Sequence, residues 1–212
     1  MKRKGWVLWA VLFVAASTAL AAGFNSPIHV KDGEVRDGGL SALNGSISIG
    51  DGATVRGGAQ SVNGSIDVGS DAKVDDLSSV NGSIEIGKLT VVSGDVQAVN
   101  GRVSLGRGVT AENVSTVNGK IELDGSEVAG DVRTINGNVI LDDGATVAGD
   151  IVIEDRGKGS DDRRRPQRIE LRGGSTVEGN IFVENPEMKV EVHLLDGSRV
   201  LGEIENATVV DR

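Results

Sequence analysis

Aliphatic residues recur at every sixth position along most of the chain. A second apolar or small residue usually stands two positions before each of them, and residues two apart lie on one face of a β-strand. Each hexad therefore predicts a short strand with two inward side chains, followed by a corner. The two runs of this pattern are Val62, Val68, Val74, Val80, Ile86, Val92 and Val99, Leu105, Ala111, Val117, Leu123, Ala129, Ile135, Leu141, Val147, Ile153.

Three hexads make one unit of about 18 residues, and the three strands of a unit differ in their inward side chains. The first carries a large pair such as Ile66 and Val68, and the second carries a small residue and a valine such as Ala72 and Val74. The third is expected to end in the aliphatic residue before an Asn-Gly pair, such as Val80. A helix would need a period of 3.6, and 31 glycines oppose it. The pattern predicts an all-β, single-stranded β-solenoid of triangular cross-section with roughly nine coils.

An Asn-Gly pair closes each regular unit, at intervals of 19, 18, 19, 18 and 18 residues. Because Asn and Gly both tolerate positive φ, the pair is predicted to form a corner. Stacked corners lie about 4.8 Å apart, so the asparagine amides can bond to one another as a structural ladder. The longer intervals predict one extra residue near 56–61 and near 93–98. The ladder asparagines are Asn44, Asn63, Asn81, Asn100, Asn118 and Asn136.

The N-terminus has the features of a secretory signal peptide. Three basic residues precede an apolar stretch, and Ala19-Leu20-Ala21 resembles a cleavage site. An uncleaved membrane anchor is the alternative, although the apolar stretch is short for a membrane span. Removal of residues 1–21 leaves 19 Lys+Arg against 31 Asp+Glu, a net charge of −12. This acidic balance opposes nucleic acid or an anionic membrane surface as the main partner. Cleavage is expected to leave a periplasmic or secreted protein with no membrane span.

The predicted organisation has five parts. A signal peptide (1–21) precedes an N-terminal cap or first coil (22–39) and the regular solenoid (40–153). A charged loop (154–168) interrupts the hexads, which resume in C-terminal coils and a cap (169–212). The loop carries the candidate partner contact, which could recognise an anionic envelope polymer or an acidic protein. A solvated loop is the alternative. The candidate contact residues are Arg163, Arg164 and Arg165.

The sequence contains little that indicates catalysis or a cofactor. Its carboxylates are scattered, His29 and His193 lie near opposite ends of the chain, and there is no cysteine. A glycosidase, a polysaccharide lyase or a hexapeptide-repeat acyltransferase is the enzymatic alternative. Asp-Gly corners such as Asp51-Gly52 could hold calcium, but the glycine-rich nonapeptide of calcium-loaded β-rolls is absent. We therefore expect no catalytic, cofactor-binding or metal-ligating residues.

The segments DGATVAGDIVI (143–153), GGSTVEGNIFV (173–183) and DGSRVLGEI (196–204) resemble the Gly-x-x-Val-x-Gly-Asp-Ile signature of bactofilins, the polymer-forming bacterial cytoskeletal proteins. The resemblance implies a right-handed β-helix, end-to-end self-association and a scaffold role at the cell envelope. The signal peptide and the arginine-rich loop differ from the family pattern. We expect a non-enzymatic structural protein of the bacterial cell envelope. The alternative is an adhesin-like module that binds an envelope or extracellular ligand along one face.

Overall fold

The computed structural model describes residues 21–23, 25–155 and 166–211. The predicted signal peptide, except for Ala21, lies outside the described residues, as do Arg163, Arg164 and Arg165. Within the described residues the chain forms strands β1 to β29, numbered in chain order, and no helix. The strands stack into three parallel sheets, which we call sheets A, B and C. Together they form a β-solenoid of about nine turns, confirming the predicted fold class.

Successive strands enter the sheets in the order A, B, C throughout the described residues, so each full turn, or rung, contributes one strand to each sheet. Sheet A contains β1 (Ala21–Gly23), β4 (Leu40–Ala42), β7 (Ala59–Ser61), β10 (Leu77–Ser79), β13 (Val96–Asn100), β16 (Val114–Asn118), β19 (Val132–Thr134), β22 (Ile151–Ile153), β25 (Ile181–Val183) and β28 (Ile204–Glu205). Sheet B contains β2 (Ile28–Val30), β5 (Ile47–Ile49), β8 (Ile66–Val68), β11 (Ile84–Ile86), β14 (Val103–Leu105), β17 (Ile121–Asp124), β20 (Val139–Asp142), β23 (Gln167–Leu171), β26 (Val190–Leu194) and β29 (Thr208–Asp211). Sheet C contains β3 (Val35–Asp37), β6 (Thr54–Arg56), β9 (Lys73–Val74), β12 (Val91–Val92), β15 (Thr110–Ala111), β18 (Glu127–Val128), β21 (Thr146–Val147), β24 (Thr176–Val177) and β27 (Arg199–Val200).

The core is a column of aliphatic side chains that runs along the axis of the solenoid. The large pairs of sheet B are buried as predicted, for example Ile66 and Ile84, which pair across β8 and β11. The Ala and Val pairs of sheet C, such as Ala72 and Val74, are also buried. Because identical faces stack in register, each side chain packs on its counterparts in the rungs above and below.

The predicted inward positions of sheet A are wrong by one residue. The aliphatic residues before Asn-Gly, such as Val62 and Val80, are only partly buried, whereas Ser61 and Ser79 are buried. Sheet A strands therefore direct pairs such as Leu77 and Ser79 inward. The aliphatic residue then lies in the corner itself, where its backbone N–H continues the stacking hydrogen bonds. The other aliphatic residues displaced in this way are Leu43, Val99, Val117 and Ile135.

Corner length also changes along the solenoid. Val128, and not the predicted Ala129, is buried in sheet C, since the corner after Leu123 is shortened. The two extra residues implied by the 19-residue intervals are found where they were predicted. One lies at Gly57-Gly58, where both residues have positive φ, and the other lies between Val92 and Val96. The hexad pattern therefore predicts the number of residues per coil correctly. The length of each corner determines which residue of the next strand points inward.

The charged insertion does not interrupt the stack. Ile151 on β22 pairs with Ile181 on β25, and Val139 on β20 pairs with Ile169 on β23, so the rungs on either side contact each other directly. The last segment, predicted to contain C-terminal coils and a cap, continues the coil. Strands β27, β28 and β29 extend the three sheets, and within the described residues each is the last strand of its sheet.

Candidate functional site

The repeated asparagines form a continuous chain of side-chain hydrogen bonds at the corner between sheets A and B. Asn63 Nδ2 donates to Asn44 Oδ1 at 2.8 Å, and Asn81 Nδ2 donates to Asn63 Oδ1 at 2.9 Å. The same bond repeats upward to Asn136. Each interior amide therefore has one bond on either side. We call this chain the Asn ladder, and its members are Asn25, Asn44, Asn63, Asn81, Asn100, Asn118 and Asn136.

Asn25 is a member that the repeat did not reveal, because Ser and not Gly follows it. Asn44 Nδ2 donates to Asn25 Oδ1 at 2.9 Å, so Asn25 is the first asparagine of the ladder. Beyond Asn136, Asn185 Nδ2 donates to Asp155 Oδ1 at 3.2 Å at the corresponding corners of later rungs. The signal for Asn25 was its distance of 19 residues from Asn44.

The glycines of these corners are required for a different reason from the one predicted. Among the described residues, positive φ occurs at corners such as Asp71 and Gly52 but at none of the six Asn-Gly pairs. Instead, a Cβ at Gly64 would overlap the carbonyl group of Gly45, and one at Gly82 would overlap that of Gly64. The glycines therefore allow the backbones of successive corners to approach closely.

A second ladder lies at the corner between sheets C and A. The backbone N–H of Asp95 donates to Asp76 Oδ1 at 3.0 Å, and the N–H of Asp150 donates to Asp131 Oδ1 at 2.8 Å. These carboxylates therefore accept backbone hydrogen bonds of the next rung. The signal in the sequence was the Gly-Asp or Gly-Asn pair before many sheet A strands. This acidic ladder contains Asp76, Asp95, Asn113, Asp131, Asp150 and Asn180.

The carboxylate of Asp51, at one of the Asp-Gly corners considered for calcium, also has a structural role. Asp51 Oδ1 accepts the backbone N–H of Ser70 at 2.7 Å, and the N–H of Asp51 donates to Asp32 Oδ1 at 3.0 Å. Across residues 21–23, 25–155 and 166–211, no group of three His, Cys, Asp or Glu side chains is arranged to hold a metal ion.

Two carboxyl groups, Asp67 and Glu154, have a pKa raised above the ordinary value. Partial burial raises the pKa of Asp67, and the charge of Glu85 directly opposite on β11 raises it further. Burial also raises the pKa of Glu154, with a further contribution from Glu184, while Arg133 lowers it. The guanidinium of Arg133 lies 3.7 Å from the Glu154 carboxylate. These groups lie on the flanks of the solenoid and are not gathered in a cleft.

The last described rung leaves the end of the hydrophobic core partly exposed. Its inward residues Val200, Ile204 and Val209 occupy the positions that Val177, Ile181 and Val192 hold one rung earlier. Those three earlier residues are all 0% exposed, whereas Val209 is 43% exposed. We call Val200, Ile204 and Val209 the C-terminal face. An open groove of about 570 Å³ beside it is lined by Pro166, Pro186, Glu187, Met188, Lys189, Val190, Glu191, Asn206, Ala207 and Thr208.

At the N-terminal end of the solenoid, charged side chains cover the core beside the first strand of sheet C. Arg36 pairs with Val55 and therefore occupies the inward column of Val55, while Glu34 lies two residues before it. Arg36 Nε donates to Glu34 Oε1 at 2.8 Å, so an ion pair covers the core at this point. The two ends of the solenoid thus present unlike side chains.

Comparison with known proteins found no matching family model, no matching curated protein and no matching solved structure. A search of the described part of the chain also found no helix with the length and hydropathy needed to cross a membrane.

Proposed function

We propose that the protein is a non-enzymatic scaffold of the bacterial cell envelope that associates end to end through its C-terminal face. The observation that carries this proposal is the exposed end of the core at Val200, Ile204 and Val209. In the previous rung the same columns are fully buried. Stacking another molecule on the last rung would remove this apolar surface from water.

The backbone of the last rung supports the same proposal. Strands β27, β28 and β29 each pair with one neighbour within the described residues, so one edge of each is open. Open strand edges favour pairing with another chain. A second copy is the favoured partner because it can supply both a strand edge and a matching apolar face.

The unlike ends favour one orientation of the two copies. The first rung places the Glu34–Arg36 ion pair over the sheet C columns, and burying charged groups against aliphatic side chains is unfavourable. The C-terminal face of a second copy offers aliphatic residues in its place. We therefore propose contact between two C-terminal ends.

Light scattering coupled to size exclusion, over a range of concentrations, tests this association. We expect wild type to be dimeric and Val209→Lys to be monomeric with an unchanged circular dichroism spectrum. Val91→Lys is the matched control because Val91 is a comparably exposed apolar residue on the outer side of sheet C, and Lys73 is its neighbour in that row. A monomeric wild type, or equal loss of association in both variants, would contradict the proposal.

Export to the envelope is supported by the basic and apolar N-terminus and by Ala19-Leu20-Ala21. We expect the mature protein to begin at Ala22. Intact mass measured on the periplasmic fraction checks this, and recovery of the chain with residues 1–21 in membranes would support an anchor.

The outer row of sheet A favours a second candidate function, an adhesin-like module that binds along one face. Five successive rungs carry uncharged polar residues there, in a protein with a net charge of −9. Such a row could hydrogen-bond to a neutral polymer. Sedimentation with purified envelope polymer tests this, and Ser78→Arg with Gln97→Arg should remove binding without altering self-association. The row comprises Ser41, Gln60, Ser78, Gln97 and Ser115.

A further inference from the structure

The Asn-Gly corners place a chemically labile dipeptide at the surface six times. In an Asn-Gly pair the glycine nitrogen can attack the asparagine Cγ, since glycine has no side chain to hinder the approach. A bond forms between that nitrogen and Cγ, the Cγ–Nδ2 bond breaks, and ammonia leaves with the proton from the glycine N–H. Water then opens the succinimide ring to aspartate or isoaspartate. Most of the ladder asparagines are exposed, so exclusion of water does not prevent this reaction.

The glycine of each Asn-Gly pair cannot be replaced by a residue with a side chain without disturbing the stacked corners. A Cβ at Gly101 would overlap the carbonyl of Gly82, and a Cβ at Gly119 would overlap that of Gly101. The close stacking of the corners thus requires the residue that makes the neighbouring asparagine reactive. Protection has to come from the asparagine side chain.

The Asn ladder restrains the group that has to move. For Asn100, Nδ2 donates to Asn81 Oδ1 at 2.9 Å, and Oδ1 accepts from Asn118 Nδ2 at 2.9 Å. The backbone N–H of Asn100 is also bonded, to the carbonyl of Val80 at 2.8 Å. Rotation of Cγ toward the glycine nitrogen would break both side-chain bonds. Ring closure therefore requires the corner to open first.

Asn25, the first asparagine of the ladder, and Asn185, in the later rungs, differ from the six asparagines that precede glycine. Asn25, which accepts the amide of Asn44, is followed by Ser26 and not by glycine. Asn185, in the later rungs, is followed by Pro186, whose nitrogen carries no hydrogen and cannot lose a proton in this reaction. The asparagines that precede glycine thus lie inside the chain of side-chain contacts at the N-terminal end.

We propose that the Asn ladder protects the Asn-Gly corners from succinimide formation, and that Asn25 protects Asn44 in this way. A deamidated corner would carry a carboxylate that can accept from the next amide but cannot donate to the previous oxygen. The ladder would then be divided at that point. This inference concerns the chemical durability of the solenoid and does not depend on the proposed function.

Ageing of the purified full-length protein at mildly alkaline pH, followed by peptide mass mapping, tests the proposal. We expect the six corners to deamidate far more slowly in the folded wild type than in urea. Asn25→Ala should raise the rate at Asn44 about fivefold, as expected when one side-chain hydrogen bond is lost, and leave Asn100 unchanged. Asn206→Gly is the control, because it removes a hydrogen bond to Val183 at the other end of the solenoid.

Three results would overturn the proposal. The first is equal deamidation of the folded and urea-unfolded wild type. The second is an unchanged rate at Asn44 in Asn25→Ala, and the third is an equal rise at all six corners, which would indicate global unfolding and not local protection. A rise at Asn44 in Asn25→Ala without one in Asn206→Gly supports it.

Discussion

Gly101 lies against the backbone carbonyl of Gly82, the equivalent glycine one rung earlier, so closely that a Cβ at position 101 would overlap it. The same relationship joins Gly82 to Gly64 and Gly64 to Gly45. Glycine at these corners is thus a requirement of stacking between rungs and not of backbone conformation, because none of these residues has positive φ.

Replacing Gly101 by Ala should destabilise the protein by about 3 kcal/mol, since backbone has to move to accommodate the methyl group. Gly144 provides the contrast, with φ of +78° and no atom within 4 Å of the point that a Cβ would occupy. Gly144→Asn should cost less, because Asn tolerates the left-handed region. Urea unfolding measures both changes, and an equal loss in the two variants would be inconsistent with steric stacking.

Asn100→Ala should lower the free energy of unfolding by about 1–2 kcal/mol. The change removes the bond to Asn81 and leaves the Nδ2 group of Asn118 without its acceptor. Gln60→Ala, at an exposed position on the outer side of sheet A, is the control and should change stability little. An unchanged melting curve for Asn100→Ala would mean that the repeated asparagines do not contribute to stability.

The like-charged pair Asp67 and Glu85 should make stability depend on pH. Burial and Glu85 raise the pKa of Asp67 in the folded state above its ordinary value of 3.8, so the folded protein holds this proton more tightly than the unfolded chain. Its contribution to stability is therefore present below pH 3.8 and is lost as pH rises through the folded pKa.

Asp67→Ser should remove this pH dependence and stabilise the protein near neutral pH by a few tenths of a kcal/mol, roughly the effect of separating a like-charged cross-strand pair. Serine is already present at the equivalent positions Ser48 and Ser104. Urea unfolding at several pH values measures the change. If Asp67→Ser and Glu85→Ser were fully additive in the double variant, the two carboxylates would not interact.

Deleting residues 156–166 and joining the ends with Gly-Ser should leave the solenoid stacked. The rungs on either side pair directly through Ile151 and Ile181, and loop length contributes only weakly to closure entropy. We expect an unchanged circular dichroism spectrum and a Tm close to that of wild type. Arg163→Ser, Arg164→Ser and Arg165→Ser combined keep the loop length and test partner binding separately. Loss of β-structure in the deletion would show that the rungs depend on the loop.

The sequence alone predicts the solenoid and most of its core. Each hexad has two inward side chains, and coiling of the chain is the arrangement that buries them while leaving the other face exposed. Uniform stacking of the coils then explains why Ile66 and Ile84 occupy the same position in successive coils. The amide ladder was also predictable from spacing, because equal intervals place equal side chains one strand spacing apart. The inward residues of sheet B were the easiest to predict. Two large aliphatic residues separated by one polar residue place both aliphatic side chains on the same face of a strand, which has to be the buried face.

The period of six does not determine which residues of each strand point inward, and only the tertiary structure shows this. Ser61 and Val62 both recur one coil later, as Ser79 and Val80, and only the length of the preceding corner determines which of them turns inward. The inclusion of Asn25, the contact of Gly101 with Gly82 and the exposure of Val209 all depend on which rung lies above or below. Those are relationships between residues about 18 positions apart, and they arise only when the coils stack at the spacing set by backbone hydrogen bonds.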